Sequence, residues 1–288
     1  MDTYVSLCCS LPESMEEALP WLVGRWPVLG TQICEAGVGR VTATIFLHPD
    51  HEDAVDPLGV ALGELGAEDL RVEPVAAEDW LAGYRLGVRP FPVGEGWWID
   101  PHPDRPTVAP QGRLRLAVEP RMAFGSGSHE STRLVLLALE DLEVAGAGVL
   151  DIGAGSGILA LAAEKLGASL VVALDIDPGT VWVARQIAGQ QEEPSRVQFL
   201  LGPVACIRGP GFDLVLCNMI ASHFVPLLGD LRRLIGAGGL AVISGLLVSE
   251  REAVTETLAA NGLQVRGDAT LGEWASLTVA RAAHGGSR

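Results

Sequence analysis

The chain has no C-x-x-C pair, and its five cysteines, Cys8, Cys9, Cys34, Cys206 and Cys217, follow no metal-ligand spacing. Its six histidines are scattered, so no metal site is expected. An odd, unpatterned cysteine set fits a reducing cytoplasm rather than a disulfide framework. No basic region follows Met1, so no signal peptide is expected. The longest apolar runs are interrupted by Asp151, Lys165 and Asp175, which argues against a membrane span. There is no internal repeat.

Basic residues are scarce at the start of the chain. Residues 1–80 hold fifteen acids but only three bases, Arg25, Arg40 and Arg71, so this part carries about −12 of the chain's −16. Such a surface repels phosphates, and direct nucleic-acid binding through it is not expected. A basic partner is the natural complement. Solubility alone is the plainer explanation.

What is present is organised around Val149–Ala160, VLDIGAGSGILA. An apolar run ends in an acid, a glycine-dense turn follows, and an alanine- and leucine-rich helix begins. This is the first strand–loop–helix of a nucleotide-binding α/β fold. The glycines let the chain turn sharply and let a ligand lie against the backbone. Gly153, Gly155 and Gly157 form G-x-G-x-G, and Ile158 stands where a dinucleotide fingerprint has its third glycine. Asp151, just before the loop, repels a pyrophosphate and suits a cation, such as the ammonium and sulfonium of S-adenosylmethionine. An NAD-dependent enzyme and an ordinary glycine-rich turn without ligand are the alternatives. The next apolar run, Leu170–Leu174, ends in Asp175, about twenty residues after the loop, where a carboxylate can accept both ribose hydroxyls. That feature is shared with NAD-binding folds. Asp177-Pro178 reads as a helix N-cap followed by a first-turn proline.

Residues 1–75 read in the order β-α-β-β-α-β, with helices over Glu13–Trp26 and residues 52–66, a ferredoxin-like module without an ATP or metal signature. Residues 76–110 carry Pro90, Pro92, Pro101, Pro103, Pro106 and Pro110 around Trp97-Trp98, and read as a linker with one or two short strands. Residues 111–288 alternate strands and helices, with a helix over Ala221–Ile235 and a turn at Gly236–Gly239, until a terminal hairpin. That pattern predicts an α/β, Rossmann-like sheet of seven strands whose last strand runs antiparallel. The Gly/Ser-rich loop Phe124–Ser128 lies just upstream of the central strand and could fold over a cofactor.

Asn218 ends the fourth strand, at the mouth of the cleft. Its amide could accept a hydrogen bond from an amine and hold the lone pair toward a methyl group; an N-cap role for the following helix is the alternative. Met219-Ile220 follows, so the Asn-Pro-Pro-aromatic site for planar nitrogens is absent. A lysine nucleophile has a reference pKa of about 10.4, and obtaining its neutral form at pH 7 costs about 4–5 kcal/mol. Burial lowers that cost. There is no obvious general base, and His129 reads as a loop-packing residue.

These residues resemble the ribosomal protein L11 methyltransferases, the PrmA family. The resemblance rests on Phe124-Gly125-Ser126-Gly127 with His129 and Thr132, on Asp151–Ala160, on Asp175-Ile176-Asp177-Pro178, on Asn218-Met219-Ile220-Ala221, and on the stretch from Arg89 to Ile99. It implies a class I methyltransferase using S-adenosylmethionine, with cofactor contacts at Thr132, Gly153, Asp175 and Asn218. Phe124, Gly125, Asp151 and Gly155, in the same motifs, are further cofactor-binding candidates, and Asn218 is the catalytic candidate. The resemblance further implies methyl transfer to lysine side chains and the N-terminal amine of a ribosomal protein recognised by the small N-terminal domain. Lysines of another protein, and a non-catalytic cofactor-binding assembly factor, are the alternatives. Two positions depart from the family pattern: Ser126 stands for threonine and Glu130 for proline. A cytoplasmic monomer is expected.

Overall fold

The computed structural model describes residues 3–15, 19, 23, 26, 28–35, 39–47, 49–76, 87–121, 123–209 and 211–282. The chain divides into two compact units, Met1–Trp80 and Leu81–Arg288.

The first unit contains β1 (Thr3–Pro12), β2 (Val28–Glu35), β3 (Arg40–Leu47), α1 (Val55–Glu64) and β4 (Glu68–Ala76). The sheet order is β2-β3-β1-β4, with every neighbouring pair antiparallel. This is the ferredoxin-like order: β3 inserts between the two strands of the first β-α-β unit. Most of the helix expected over Glu13–Trp26 lies outside the described residues, but Leu19 and Val23 are buried. They join Leu7, Leu11, Val41, Ile45 and Leu47 of the sheet and Leu58 and Leu62 of α1 in one core. Period-two alternation puts Val41, Ala43, Ile45 and Leu47 on the covered face of β3. Burial pushes the Cys9 thiol on β1 up to about 11, with Cys8 adding to it, so this cysteine packs as a small apolar group.

Two of the first three strands of the second unit lie in the stretch expected as a linker with one or two short strands. β5 (Phe91–Val93), β6 (Trp97–Asp100) and β7 (Leu114–Ala117) form a three-stranded sheet. Residues 77–86 lie outside the described residues. Pro92 is tolerated because β5 is an edge strand. Trp97 is fully buried in the large core, and its indole N–H donates to the Leu136 carbonyl at 2.9 Å. The segment thus carries the two short strands expected of it, and its Trp97 and Ile99 are core residues.

The main elements follow: α2 (Glu130–Glu140), β8 (Gly148–Ile152), α3 (Ile158–Lys165), β9 (Leu170–Asp175), α4 (Pro178–Gly189), β10 (Gln198–Leu201), β11 (Phe212–Asn218), α5 (Ala221–Phe224), α6 (Leu228–Leu234), β12 (Ile235–Leu247), α7 (Arg251–Ala260), β13 (Leu263–Leu271) and β14 (Trp274–Arg281). The seven-stranded sheet has the order β10-β9-β8-β11-β12-β14-β13. β14 is antiparallel to both neighbours, as the terminal hairpin predicts. One core, with Leu159 and Val181, covers one face, and another, with Phe224 and Leu231, covers the other. Burial on both sides explains why β8 reads as an unbroken apolar run.

One local expectation differs from the structure. The helix expected over Ala221–Ile235 is split into α5, a 3-10 turn at Val225–Leu227, and α6. Pro226 has no N–H to donate and breaks the helical ladder. The Gly236–Gly239 run falls within β12, but its pairing with β11 breaks there: Phe212 pairs with Ile235 and Leu214 with Leu240, and Gly238 has a φ of +78°, so the run loops out of the ladder as expected. A Cβ at Gly239 would stand 2.6 Å from the Phe212 carbonyl, so the glycines let β12 press against β11.

A buried ion pair ties β6 to β7. Arg115 Nε–H donates to Asp100 Oδ2 at 2.9 Å, with the two side chains 7% and 0% exposed. Burial would raise the Asp100 pKa, but donors from Thr107, His102 and Arg115 outweigh it and hold the carboxyl below its usual value. Asp100→Asn should destabilise the larger unit by about 1–3 kcal/mol, because it leaves the enclosed Arg115 with only the more exposed Glu192, 3.1 Å from its Nη1, as a charged partner. Urea unfolding at pH 7 checks this; a loss under about 1 kcal/mol would mean that the pair is easily replaced.

Candidate active site

The glycine loop follows the carboxyl end of β8. Gly153, Gly155 and Gly157 all have left-handed backbones, with φ of +73°, +56° and +80°. At Gly155 the requirement is also steric: a Cβ would lie 2.5 Å from the Phe124 carbonyl oxygen. That carbonyl accepts the Ser156 N–H at 2.8 Å, and Ser156 Oγ–H donates to the Gly125 carbonyl at 2.6 Å. The upstream loop and the glycine loop are thereby stitched together. Phe124 remains 56% exposed, while Gly125 is buried.

Asp175, at the tip of β9, uses both carboxylate oxygens on backbone amides. Oδ2 accepts the Gly155 N–H at 3.2 Å, and Oδ1 accepts the Asp177 N–H at 3.1 Å. Each oxygen retains a lone pair for a further donor. Asp177 accepts the Thr180 N–H at 2.8 Å and caps α4, with Pro178 in the first turn. The exposed Ile176 beside Asp175 offers an apolar face suited to a planar base.

Asp151 is 1% exposed. Its Oδ2 accepts the Ala160 N–H at 3.2 Å, while Oδ1 is enclosed without a partner. Burial pushes its pKa up to about 7; the Ala160 amide opposes the shift and Asp175 adds to it. Cys217 on β11 is raised to about 12 by burial and by Asp151, so it is not a nucleophile.

Asn218 ends β11. Its Nδ2–H donates to Thr132 Oγ1 at 3.2 Å, and its Oδ1 is enclosed with no donor. It does not cap α5, whose N-cap is Ile220. Thr132 lies in the first turn of α2 and is fully buried. Met219 lies against Gly153, where a Cβ would stand 3.0 Å from its Sδ.

An aromatic group at the same edge is not evident from local sequence. The His129 ring stands 5.3 Å from Phe124 and 4.7 Å from Trp274, both edge-on. His129 Nδ1 accepts the Ser131 N–H and caps α2, so the ring proton sits on Nε2. The basic nitrogen is thus already engaged, and His129 serves as a wall and cap. Phe124 and Trp274 are separated widely in sequence, and only the fold brings them to one histidine. Among the described residues, no group of three or more His, Cys, Asp or Glu side chains could hold a metal ion. A concavity of about 430 Å³ lined by Arg185, Gln191, Glu192 and Phe199 contains none of the residues above.

A glycine loop with an orphaned carboxylate behind it, an acid at the second strand tip and this strand order define a Rossmann-like class I S-adenosylmethionine-dependent methyltransferase. The unpartnered Oδ1 of Asp151 and the spare lone pairs of Asp175 fit that cofactor's cationic groups and ribose hydroxyls. A family profile described as ribosomal protein L11 methyltransferase (PrmA) matches residues 26–282, and the chain belongs to that family. It is 36% identical to the ribosomal protein L11 methyltransferase of Pelobacter propionicus, over 74% of this chain and 70% of that one. It is 36% identical to the same enzyme of Deinococcus radiodurans, over 78% of this chain and 83% of the relative. The crystal structure of a ribosomal protein L11 methylase from Lactobacillus delbrueckii subsp. bulgaricus superposes with a TM-score of 0.63 at 26% identity, covering 68% of this chain and all of that one.

The raised Asp151 pKa predicts a pH signature. Its folded value lies above the unfolded value of 3.8, so its contribution to stability is complete below about pH 4 and is lost as pH rises through about 7. Asp151→Asn should therefore gain stability relative to the parent as pH rises from about 5 to about 8. Thermal unfolding of the cofactor-free proteins at both pH values reads this. A constant difference would mean that Asp151 is already ionised across the range.

Proposed function

We propose that the protein transfers methyl groups from S-adenosylmethionine to lysine side chains and the N-terminal amine of ribosomal protein L11. The observation that carries this reading is the enclosed, unpartnered Oδ1 of Asn218 at the end of β11. A carbonyl oxygen there accepts an N–H from an amine and leaves its lone pair directed away, toward an electrophile. When bound, the cofactor supplies an electrophilic methyl group on a sulfonium. The chain's own task is alignment, for which an in-line displacement needs no metal. Thr132, Gly153 and Asp175 serve as cofactor contacts, together with Phe124, Gly125, Asp151 and Gly155, and Asn218 is the catalytic residue.

In this reading residues 1–75, within the first unit, are the substrate-recognition module, residues 76–110 a linker that carries two short strands, and residues 111–288 the catalytic domain. The acidity of the first eighty residues supports a basic protein partner and disfavours direct contact with nucleic acid. A monomer in the cytoplasm completes the proposal. Among the described residues no helix is long and apolar enough to cross a membrane.

Mass spectrometry of purified large-subunit ribosomal proteins, after incubation with the enzyme and S-adenosylmethionine, tests the assignment. Gains of whole methyl units on L11 alone are expected. Asp175→Ala should weaken cofactor binding roughly 10- to 100-fold, as loss of charge-assisted hydrogen bonds implies, and abolish the mass gain at limiting cofactor. Tight cofactor binding by the parent with L11 unmodified would reject the substrate.

A further inference from the structure

Thr132 and Asn218 are 86 positions apart in the chain and meet at 3.2 Å, Nδ2–H donating to Oγ1. Thr132 is 0% exposed, so its hydroxyl is shielded from water. The helix turn that carries it is fixed from two sides. His129 caps the turn through the Ser131 amide, and the fully buried Ser244 donates from Oγ to the Ser131 carbonyl at 2.9 Å. β12 is paired in register with β11, Asn218 opposite Ser244. Thr132 therefore reaches Asn218 from a platform anchored to the neighbouring strand.

A primary amide has two faces of opposite character: NH2 only donates and the carbonyl only accepts. Occupying the NH2 side decides which face remains for a ligand. We propose that Thr132 is a positioning residue: its hydroxyl holds the Asn218 amide with the carbonyl left to accept the reacting amine. This rests on the reading that Asn218 aligns the nucleophile, and it gives Thr132 a role exerted through another side chain beside the cofactor contact that the family resemblance implies. Without the hydroxyl, the amide can turn about its last torsion and present NH2 to an amine, a donor facing a donor.

Thr132→Val keeps the shape of the side chain and removes the hydrogen bond, while Thr132→Ser keeps the hydroxyl. Two readouts separate this inference from the reading beneath it. The first needs no substrate. The chain has two asparagines, Asn218 and Asn261, so protein labelled with ¹⁵N-asparagine gives two side-chain NH2 pairs. Asn261, which donates to the Thr257 carbonyl on an exposed helix end, is the internal reference. The Asn218 pair should exchange slowly with solvent in the parent and in Thr132→Ser, and should shift and exchange faster in Thr132→Val. The second readout is turnover on L11 beside S-adenosylmethionine affinity measured by calorimetry. In Thr132→Val, kcat at saturating cofactor should fall by about 10- to 100-fold, the scale of a misaligned reactant, and by more than the cofactor affinity falls. Thr132→Ser should restore most of kcat. An unchanged Asn218 pair in Thr132→Val, or a loss of turnover matched by an equal loss of cofactor affinity, would overturn the proposal. A parent protein that leaves L11 unmodified would instead reject the substrate, and the amide spectrum would still decide whether Thr132 holds Asn218.

Discussion

The site depends on a close approach between two backbones. The Phe124 carbonyl occupies the space a Cβ at Gly155 would fill, and Ser156 secures it with its amide while its hydroxyl takes the Gly125 carbonyl. This contact fixes more than a loop. α2 begins five residues after Gly125, so the position of the stitched loop sets where His129 caps the helix and where Thr132 meets Asn218. Ile158 takes part as well. It is 2% exposed, and a Cβ at Gly127 would lie 3.0 Å from its Cδ1. Where a dinucleotide fold needs a third glycine for helix–strand packing, this chain uses an apolar side chain as the floor for an upstream loop.

Electrostatics then select the ligand. Asp151 and Asp175 repel one another, and burial makes ionisation of Asp151 costly. A pyrophosphate would add charge of the same sign to that site. A ligand carrying ammonium and sulfonium groups would relieve both the repulsion and the unpartnered Oδ1 of Asp151. Burial, and to a lesser degree the same carboxylate, keep Cys217 a thiol.

The legible part of the fold is the part set by local rules. β8 and β9 are apolar because both faces are covered, and their terminal acids mark the ligand edge of the sheet. The antiparallel end of the sheet follows from two strands without a helix between them. The errors arise where a residue type has two uses. Pro226 splits a helix that the apolar spacing alone would run through, whereas the prolines around Trp97 flank the two short strands expected there. Trp274 gives no local signal, because its meaning lies in a ring contact with His129. Thr132 was visible only through family resemblance, and its hydrogen bond to Asn218 was not visible at all.

The fate of His129 narrows the chemistry. A histidine beside a proposed methyl-transfer site invites the role of general base, but its Nδ1 accepts the Ser131 amide and its Nε2 carries the proton. Neither nitrogen is free to take a proton from an amine without releasing the cap of α2, and with it the turn that holds Thr132. A displacement at a sulfonium does not require that proton transfer to coincide with attack. An amine that enters uncharged needs only an acceptor to orient it, and it sheds its extra proton after the bond has formed. An asparagine carbonyl meets that need and a carboxylate would not, because a carboxylate would favour the ammonium form, which has no lone pair. Asn218, neutral and held on its donor side, is the side chain that this chemistry calls for.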